Sequence, residues 1–265
     1  NEKVGKTTLL PYPGGRTVDN RPGWIPNGAD SYKLRDANTE LYGGELVKPF
    51  ERPQRLDFIV EEIKKRDLGE ILSPNKIDLK IINKVHDHDY IKFLDSAWNE
   101  WIKEGFKGEA IPTVWPSRSM NSDKIPTFIE GKLGYYCLAG ETSISNGSIE
   151  AAYEAVTVAI SAVDTLLNDK LSGIFALCRP PGHHASKNQY GGYCFFNNAA
   201  IAAERFKEHG AQKIFILDVD FHHGNGTQSI FYDRSDVFYA SLHGDPMFAF
   251  PHFLGHFDEI GIGKG

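Results

Sequence analysis

The chain has 265 residues, 41% hydrophobic and 24% charged, the balance of an ordinary globular protein with apolar mass for a sizeable core. Its formal net charge of -6 excludes a global basic field for nucleic acid or an anionic membrane surface, and no apolar run approaches the roughly 20 residues of a membrane span. Three cysteines, Cys137, Cys178 and Cys194, without a C-x-x-C pair, exclude a disulfide scaffold and point to reduced thiols in a cytoplasmic enzyme.

Residues 1–30 are rich in Pro and Gly without periodicity, so an irregular N-terminal extension is expected there. The first residue is Asn rather than Met, which implies that an N-terminal piece, with any targeting signal in it, has been removed. Gly5-Lys6-Thr7 matches the end of a phosphate-binding loop, but the motif's first glycine would precede residue 1 and Pro11-Tyr12-Pro13-Gly14-Gly15 stands where its helix should begin. That reading is rejected. From Pro53 to Asp67, Leu56, Ile59, Val60 and Ile63 make a helical apolar stripe, and a second helix from about Asp87 to Lys103 buries Tyr90, Phe93, Leu94, Ala97 and Trp101. The stretch 105–134, with Pro112, Pro116 and Pro126, reads as a loop whose aromatics favour an ordered functional or interface role. An alanine-rich helix is predicted from Ser145 to about Asn168, with Ser145 or Asn146 as its cap. Strand Ile174–Cys178, a helix from about Asn197 to His209, strand Lys213–Val219, a helix near Thr227–Tyr232 and strand Val237–Leu242 follow. This alternation is the signature of βαβ units with right-handed crossovers.

Candidate chemistry concentrates between Lys213 and Gly226. Ile214 to Leu217 is apolar at every residue, as in a parallel strand covered on both faces. Asp218, Asp220 and His222 then follow two residues apart, and a continued strand would project all three to one face. Ligands of open α/β sheets bind beyond the carboxyl ends of strands. Carboxylate and imidazole suit a zinc-type metal, for which three protein ligands and a water make a hydrolytic site. Asp220 and His222 are the candidate ligands. Taken alone, this pattern fits a capping Asp and a structural His equally well. A second cluster, Arg179-Pro-Pro-Gly-His-His-Ala185, shifts that balance because it follows an adjacent strand and would open on the same crevice. His183 and His184 need partners to fix their tautomers, and Asp218 and Asn225 are available. Gly191-Gly-Tyr-Cys194 adds a turn and an aromatic near the same mouth.

Pro181-Gly-His-His-Ala185, Gly192-Tyr-Cys194, Asp218-Val-Asp-Phe-His-His-Gly-Asn-Gly226, Ser241-Leu-His243 and Phe250-Pro251 resemble the zinc-hydrolase motifs of the histone deacetylase superfamily. Thr39 to Glu45, Val114 to Arg118 and Ile129 to Tyr136 are similar to its acetylpolyamine amidohydrolases, so the resemblance runs from about residue 32 to the end. It implies a three-layer αβα fold with a mostly parallel central sheet, as one deacetylase domain over residues 31–265. It also implies hydrolysis of a small cationic acetylamine, such as acetylputrescine, acetylcadaverine or acetylspermidine. By the same resemblance, Asp220 and His222 hold Zn2+, with Fe2+ as the alternative, and His184 is the general base that later protonates the leaving amine. His183, oriented by Asp218, stabilises the tetrahedral intermediate. Asn225 orients His184 where first-class histone deacetylases carry Asp, which makes this imidazole less basic. Gly192, Tyr193 and Phe250 line a narrow channel, and His223 is structural.

The resemblance further implies a potassium ion at Asp218, Ser241 and Leu242 with the main chain of Asp220 and His222, and a second near Phe231, Arg234 and Val237. Glu40, Glu130 and Glu141 imply an acidic mouth for a polyamine ammonium, although any single Glu is more often solvated surface. The 105–134 stretch implies an insertion that pairs two subunits into a homodimer and narrows the entrance. The family's third zinc ligand, an Asp, and its transition-state Tyr have no counterpart in these residues. A C-terminally incomplete domain is therefore expected, one that exposes sheet edge and core and does not fold stably alone. Three other readings are an acetyl-lysine deacetylase of the same superfamily, a catalytically inactive scaffold, and an arginase-like dinuclear manganese enzyme. Phe221 and the His pairs argue against the last.

Overall fold

Two pairs of parallel strands carry the site in this computed structural model, which describes residues 23–26 and 31–265. Strand β1 (Gly23–Pro26) pairs with β4 (Ile174–Leu177), and β5 (Ile214–Asp218) pairs with β6 (Val237–Ser241), placing Asp218 opposite Ser241. A hairpin of β2 (Glu40–Tyr42) and β3 (Glu45–Val47) turns through Gly43 and Gly44. The helices are α1 (Gln54–Lys65), α2 (His88–Lys103), α3 (Ile129–Tyr136), α4 (Ser148–Asn168), α5 (Asn198–Glu208) and α6 (Asn225–Phe231). Short 3-10 turns lie at Ser31–Lys33 and Leu79–Lys84. The α/β class is as read from the alternation, with helices beside parallel strands.

The main core joins the apolar faces of α2, α4 and α5. Tyr90, Phe93 and Leu94 of α2 cluster with Val156 and Ile160 of α4 and Ile201 of α5. This is the expected outcome of apolar residues recurring with helical period. No helix among the described residues is long and apolar enough to cross a membrane.

Four expectations change. Gly23–Pro26 is a strand rather than part of an irregular extension: Trp24 stacks on Phe175 at 4.1 Å, and Ile25 is fully buried with Val158 and Ala162. Trp24 and Ile25 favour a strand, but two such residues between Gly23 and Pro26 are too short a run to predict one, so pairing decides. Gly5 to Thr7 and the rest of residues 1–30 lie outside the described residues. Ile129–Tyr136, the end of the loop-rich stretch and the stretch's immediate sequel, is helical; Gly131 and Gly134 weaken its propensity, and burial of Ile129, Leu133 and Tyr136 holds it. Neither Ser145 nor Asn146 caps α4. Gly147 occupies the cap position, and Ser148 Oγ accepts the Ser145 N–H at 3.0 Å.

The fourth change concerns β5. It is covered on one face only. Phe215 and Leu217 are 59% and 50% exposed, and Phe238 on β6 is 68% exposed. Phe215 and Phe238 stack on each other at 5.6 Å across the strand pair. A groove of about 750 Å³ separates β4 from β5, floored by Ala159, Ala162 and Ala202 and ending at His183, Asp218 and Asp220.

Candidate active site

The loop after β4 and the turn after β5 meet at two paired imidazoles. Four structural anchors shape the first loop. Arg179 Nε donates to Glu51 Oε1 at 2.9 Å, and Arg179 Nη1 donates to Arg35 O at 2.7 Å and to Tyr32 O. Asn198 Nδ2 donates to Pro180 O at 3.2 Å. Asn197 caps α5 by accepting from Ala200 N at 2.9 Å, while its Nδ2 donates to Ala185 O and Thr227 Oγ1, each at 3.0 Å. One Asn thus ties α5, the loop behind His184 and α6 together. His86 completes the frame, its Nε2 accepting Asn197 N–H at 2.9 Å.

Within this frame the rings of His183 and His184 lie 4.0 Å apart. His183 Nδ1 is 2.9 Å from Asp218 Oδ2, and His184 Nδ1 is 2.7 Å from Asn225 Oδ1. Asn225 Nδ2 points at His184 O, 3.4 Å away, so its Oδ1 is the atom facing the ring and His184 Nδ1 is the donor. Burial first, and then the charge of His183, push the His184 imidazole down to about 3 against the Asn225 bond. His184 is therefore neutral near pH 7. Burial alone would raise the Asp218 carboxyl, but the hydrogen bond and charge of His183, with bonds from Asp220 N and Tyr239, hold it below the usual carboxylate range.

Strand geometry ends at Asp218, so Asp220 and His222 are not set by a period of two. Side-chain turns set them instead: Asp220 N donates to Asp218 Oδ1 at 3.1 Å, and His222 N donates to Asp220 Oδ1 at 2.8 Å. His222 Nδ1 lies 3.5 Å from Asp220 Oδ1, and the His222 ring is 6.3 Å from that of His184. Carboxylate and imidazole have the donor chemistry of a zinc site. Among the described residues, no group of three or more His, Cys, Asp and Glu side chains is placed to hold a metal, so this pair offers two donors. His223 turns inward instead, 3% exposed and 4.4 Å from the His243 ring. Ser241 Oγ bonds His243 Nδ1 at 2.7 Å, and Leu242 N donates to Asp218 O at 2.9 Å.

The remaining expected residues divide. Phe250 stands edge-on to His184 at 4.9 Å and lies 6.2 Å from His222. Gly192 packs flat on the His184 ring, and a β-carbon there would collide with it. Tyr193 is held at two of its own atoms and at the residue before it. Its N–H donates to Thr142 Oγ1 at 2.7 Å, its hydroxyl donates to Glu40 Oε1 at 2.6 Å, and Gly192 N donates to Glu141 Oε1 at 2.6 Å just before it. Burial, and next the bond to Glu40, push the Tyr193 phenol up. Glu40 is buried, and its other oxygen accepts Phe50 N at 3.0 Å. Expected at an acidic mouth, it instead holds Tyr193. Glu130 and Glu141 are partly exposed, Glu130 accepting from Thr113 Oγ1 at 2.9 Å.

Several contributors were not read from the sequence. Thr142, Asn197, Arg35 and Glu51 act through contacts distant in the chain. Tyr239 donates to Asp218 Oδ2 at 3.0 Å; its only sequence signal is a position two residues before Ser241 on the same strand.

Residues 49–265 match the histone deacetylase domain family. The chain belongs to the histone deacetylase family. It aligns with named relatives over most of its length. It is 54% identical to acetylpolyamine amidohydrolase of Mycoplana ramosa over 237 residues, covering 89% of this chain and 69% of that protein. It is 45% identical to acetylpolyamine amidohydrolase 2 of Pseudomonas aeruginosa, covering 89% and 68%. The crystal structure of acetylpolyamine aminohydrolase from Burkholderia pseudomallei superposes with a TM-score of 0.83 at 32% identity, over 92% of this chain and 69% of that one. The histone deacetylase fold, a three-layer α/β arrangement, thus accounts for the parallel strands and flanking helices described above.

Proposed function

We propose that this histone deacetylase family member hydrolyses the acetamide of N-acetylated polyamines, releasing acetate and the free amine. The observation that carries the reading is the pair His183 and His184, each oriented by a different partner, beside the Asp220 and His222 donors. Asp220 and His222 would hold Zn2+, with Fe2+ as the alternative. When bound, the metal polarises the amide carbonyl and acidifies water. Neutral His184, its Nδ1–H fixed on Asn225, presents Nε2 to take a proton from the attacking water and return it to the departing nitrogen. When protonated on both nitrogens, His183 gives its Nδ1–H to the Asp218 carboxylate and has its Nε2–H free to donate to the carbonyl oxygen as negative charge develops there. Gly192, Tyr193 and Phe250 orient the acyl chain beside His184.

The names of the two relatives support the polyamine assignment. A substrate ammonium needs an anionic group some carbons away from the amide, and Glu130 and Glu141 are the partly exposed carboxylates assigned to it. We assign a structural potassium ion to Asp218, Ser241 and Leu242 with the main chain of Asp220 and His222, and a second ion near Phe231, Arg234 and Val237. The 105–134 segment exposes Val114, Met120, Ile125 and Phe128, the apolar surface assigned to a homodimer contact. Acetate release from acetylputrescine and acetylspermidine, compared with an acetyl-lysine peptide on the same zinc-loaded preparation, tests the substrate class. The polyamines should be the better substrates by kcat/KM. Preference for the peptide would transfer the assignment to protein deacetylation.

A further inference from the structure

We propose that Tyr239 is a positioning residue for His183, acting through Asp218. Tyr239 lies on β6 opposite Ile216, and Ser241, two residues on, lies opposite Asp218. The hydroxyl therefore reaches the Asp218 carboxylate from the neighbouring strand. It donates to Oδ2 at 3.0 Å, the same oxygen that sits 2.9 Å from His183 Nδ1. Oδ1 accepts Asp220 N–H at 3.1 Å. Three donors from three segments thus fix the plane of a group whose final torsion is otherwise broad. An ionised carboxylate only accepts, so His183 must carry a proton on Nδ1, which directs Nε2 away from Asp218.

Gly224 supplies a second, independent observation. A β-carbon at that position would collide with both Asp218 Oδ2 and the Tyr239 hydroxyl, and would stand 3.1 Å from His183 Nδ1. The three atoms meet only because this residue has no side chain. The next residue, Asn225, orients His184. One turn therefore serves both histidines, the first by leaving room and the second by a hydrogen bond.

The catalytic consequence rests on the role given to His183 under the proposed function, whereas the contact itself does not. Tyr239→Phe keeps the ring and removes only the donor. In the full chain labelled with 15N-histidine, at a pH high enough to leave the ring neutral, long-range 1H–15N NMR should show His183 as the Nδ1–H tautomer, with its signal identified by its loss in His183→Gln. Tyr239→Phe should mix in the Nε2–H tautomer, and kcat on acetylputrescine should fall about tenfold with KM within about twofold. Gly224→Ala, which forces the same atoms apart, should reproduce the tautomer change. An unaltered His183 tautomer in both variants, with kcat within about twofold of wild type for Tyr239→Phe, would overturn the proposal. The spectroscopic comparison decides the positioning alone. Absence of acetate release by the wild-type protein would count against the amidohydrolase reading, not against this contact.

Discussion

Replacing Glu51 by Ala should cost about 4 kcal/mol of folding stability, within the range for removing one partner of a buried ion pair. Glu51 is 3% exposed and faces two guanidiniums that are as deeply buried, Arg35 at 2% and Arg179 at 3%. Its Oε2 accepts from Arg35 Nη1 and its Oε1 from Arg179 Nε, both at 2.9 Å. Arg55 adds only a 3.8 Å ion pair from a side chain 62% exposed, so it cannot shield the site. Removing the carboxylate leaves two like charges without their shared counter-ion. Arg35 keeps the faces of Phe195 at 5.5 Å and Tyr193 at 5.9 Å, which offset a small part of the loss. With a urea m-value of about 3 kcal/mol/M, the midpoint should drop by more than about 1 M. Glu51→Gln keeps the shape and one acceptor and should fall between wild type and Glu51→Ala. Arg179 lies in the loop after β4 that carries His183 and His184, so Glu51→Ala should also lower turnover. A loss below about 1 kcal/mol would show that the triad is solvated or dispensable, and the reasoning would fail.

Two further outcomes follow from the same geometry. Burial lowers His86 to about 4, so between about pH 6.5 and 4 the unfolded chain binds the extra proton. His86 thus contributes stability that is complete above about pH 6.5 and is lost as pH falls to about 4, a change of about 3 kcal/mol. His86→Gln, which can still accept Asn197 N–H, should flatten urea midpoints measured across that window; an unchanged acid slope would refute the assignment. Glu40→Gln leaves one acceptor oxygen for two donors, Tyr193 OH and Phe50 N–H, and should cost about 1–3 kcal/mol. It should impair neutral acetamides as much as acetylpolyamines, and a KM rise confined to acetylpolyamines would restore Glu40 to the mouth.

The legible part of the site was its local part. His183, His184, Asp218, Asp220, His222 and Asn225 occupy two short segments at strand ends, where a βαβ chain brings its loops together. The helices were legible for the same reason: Tyr90, Phe93 and Leu94 recur with the period of a turn. What escaped depends on long-range contact. The Arg179 to Glu51 bond joins residues 128 apart, and Tyr193 to Glu40 joins residues 153 apart. Composition cannot show that Glu40 is buried, so a carboxylate near a motif read as a substrate group. Tyr239 lay on a strand whose register with β5 is visible only after folding. The even apolar run of Ile214 to Leu217 suggested two covered faces, yet apolar residues record a capacity for burial, and Phe215 and Leu217 leave it unused among the described residues.

The most direct test of the account is His184→Ala, with metal content and acetylputrescine turnover measured on the same full-chain preparation. With His184 proposed as the base and Asp220 and His222 as the metal donors, zinc content should stay near wild type while kcat falls about 10²–10⁴-fold. Loss of zinc in proportion to the loss of activity, or turnover that survives the substitution, would contradict the division of roles proposed for these residues.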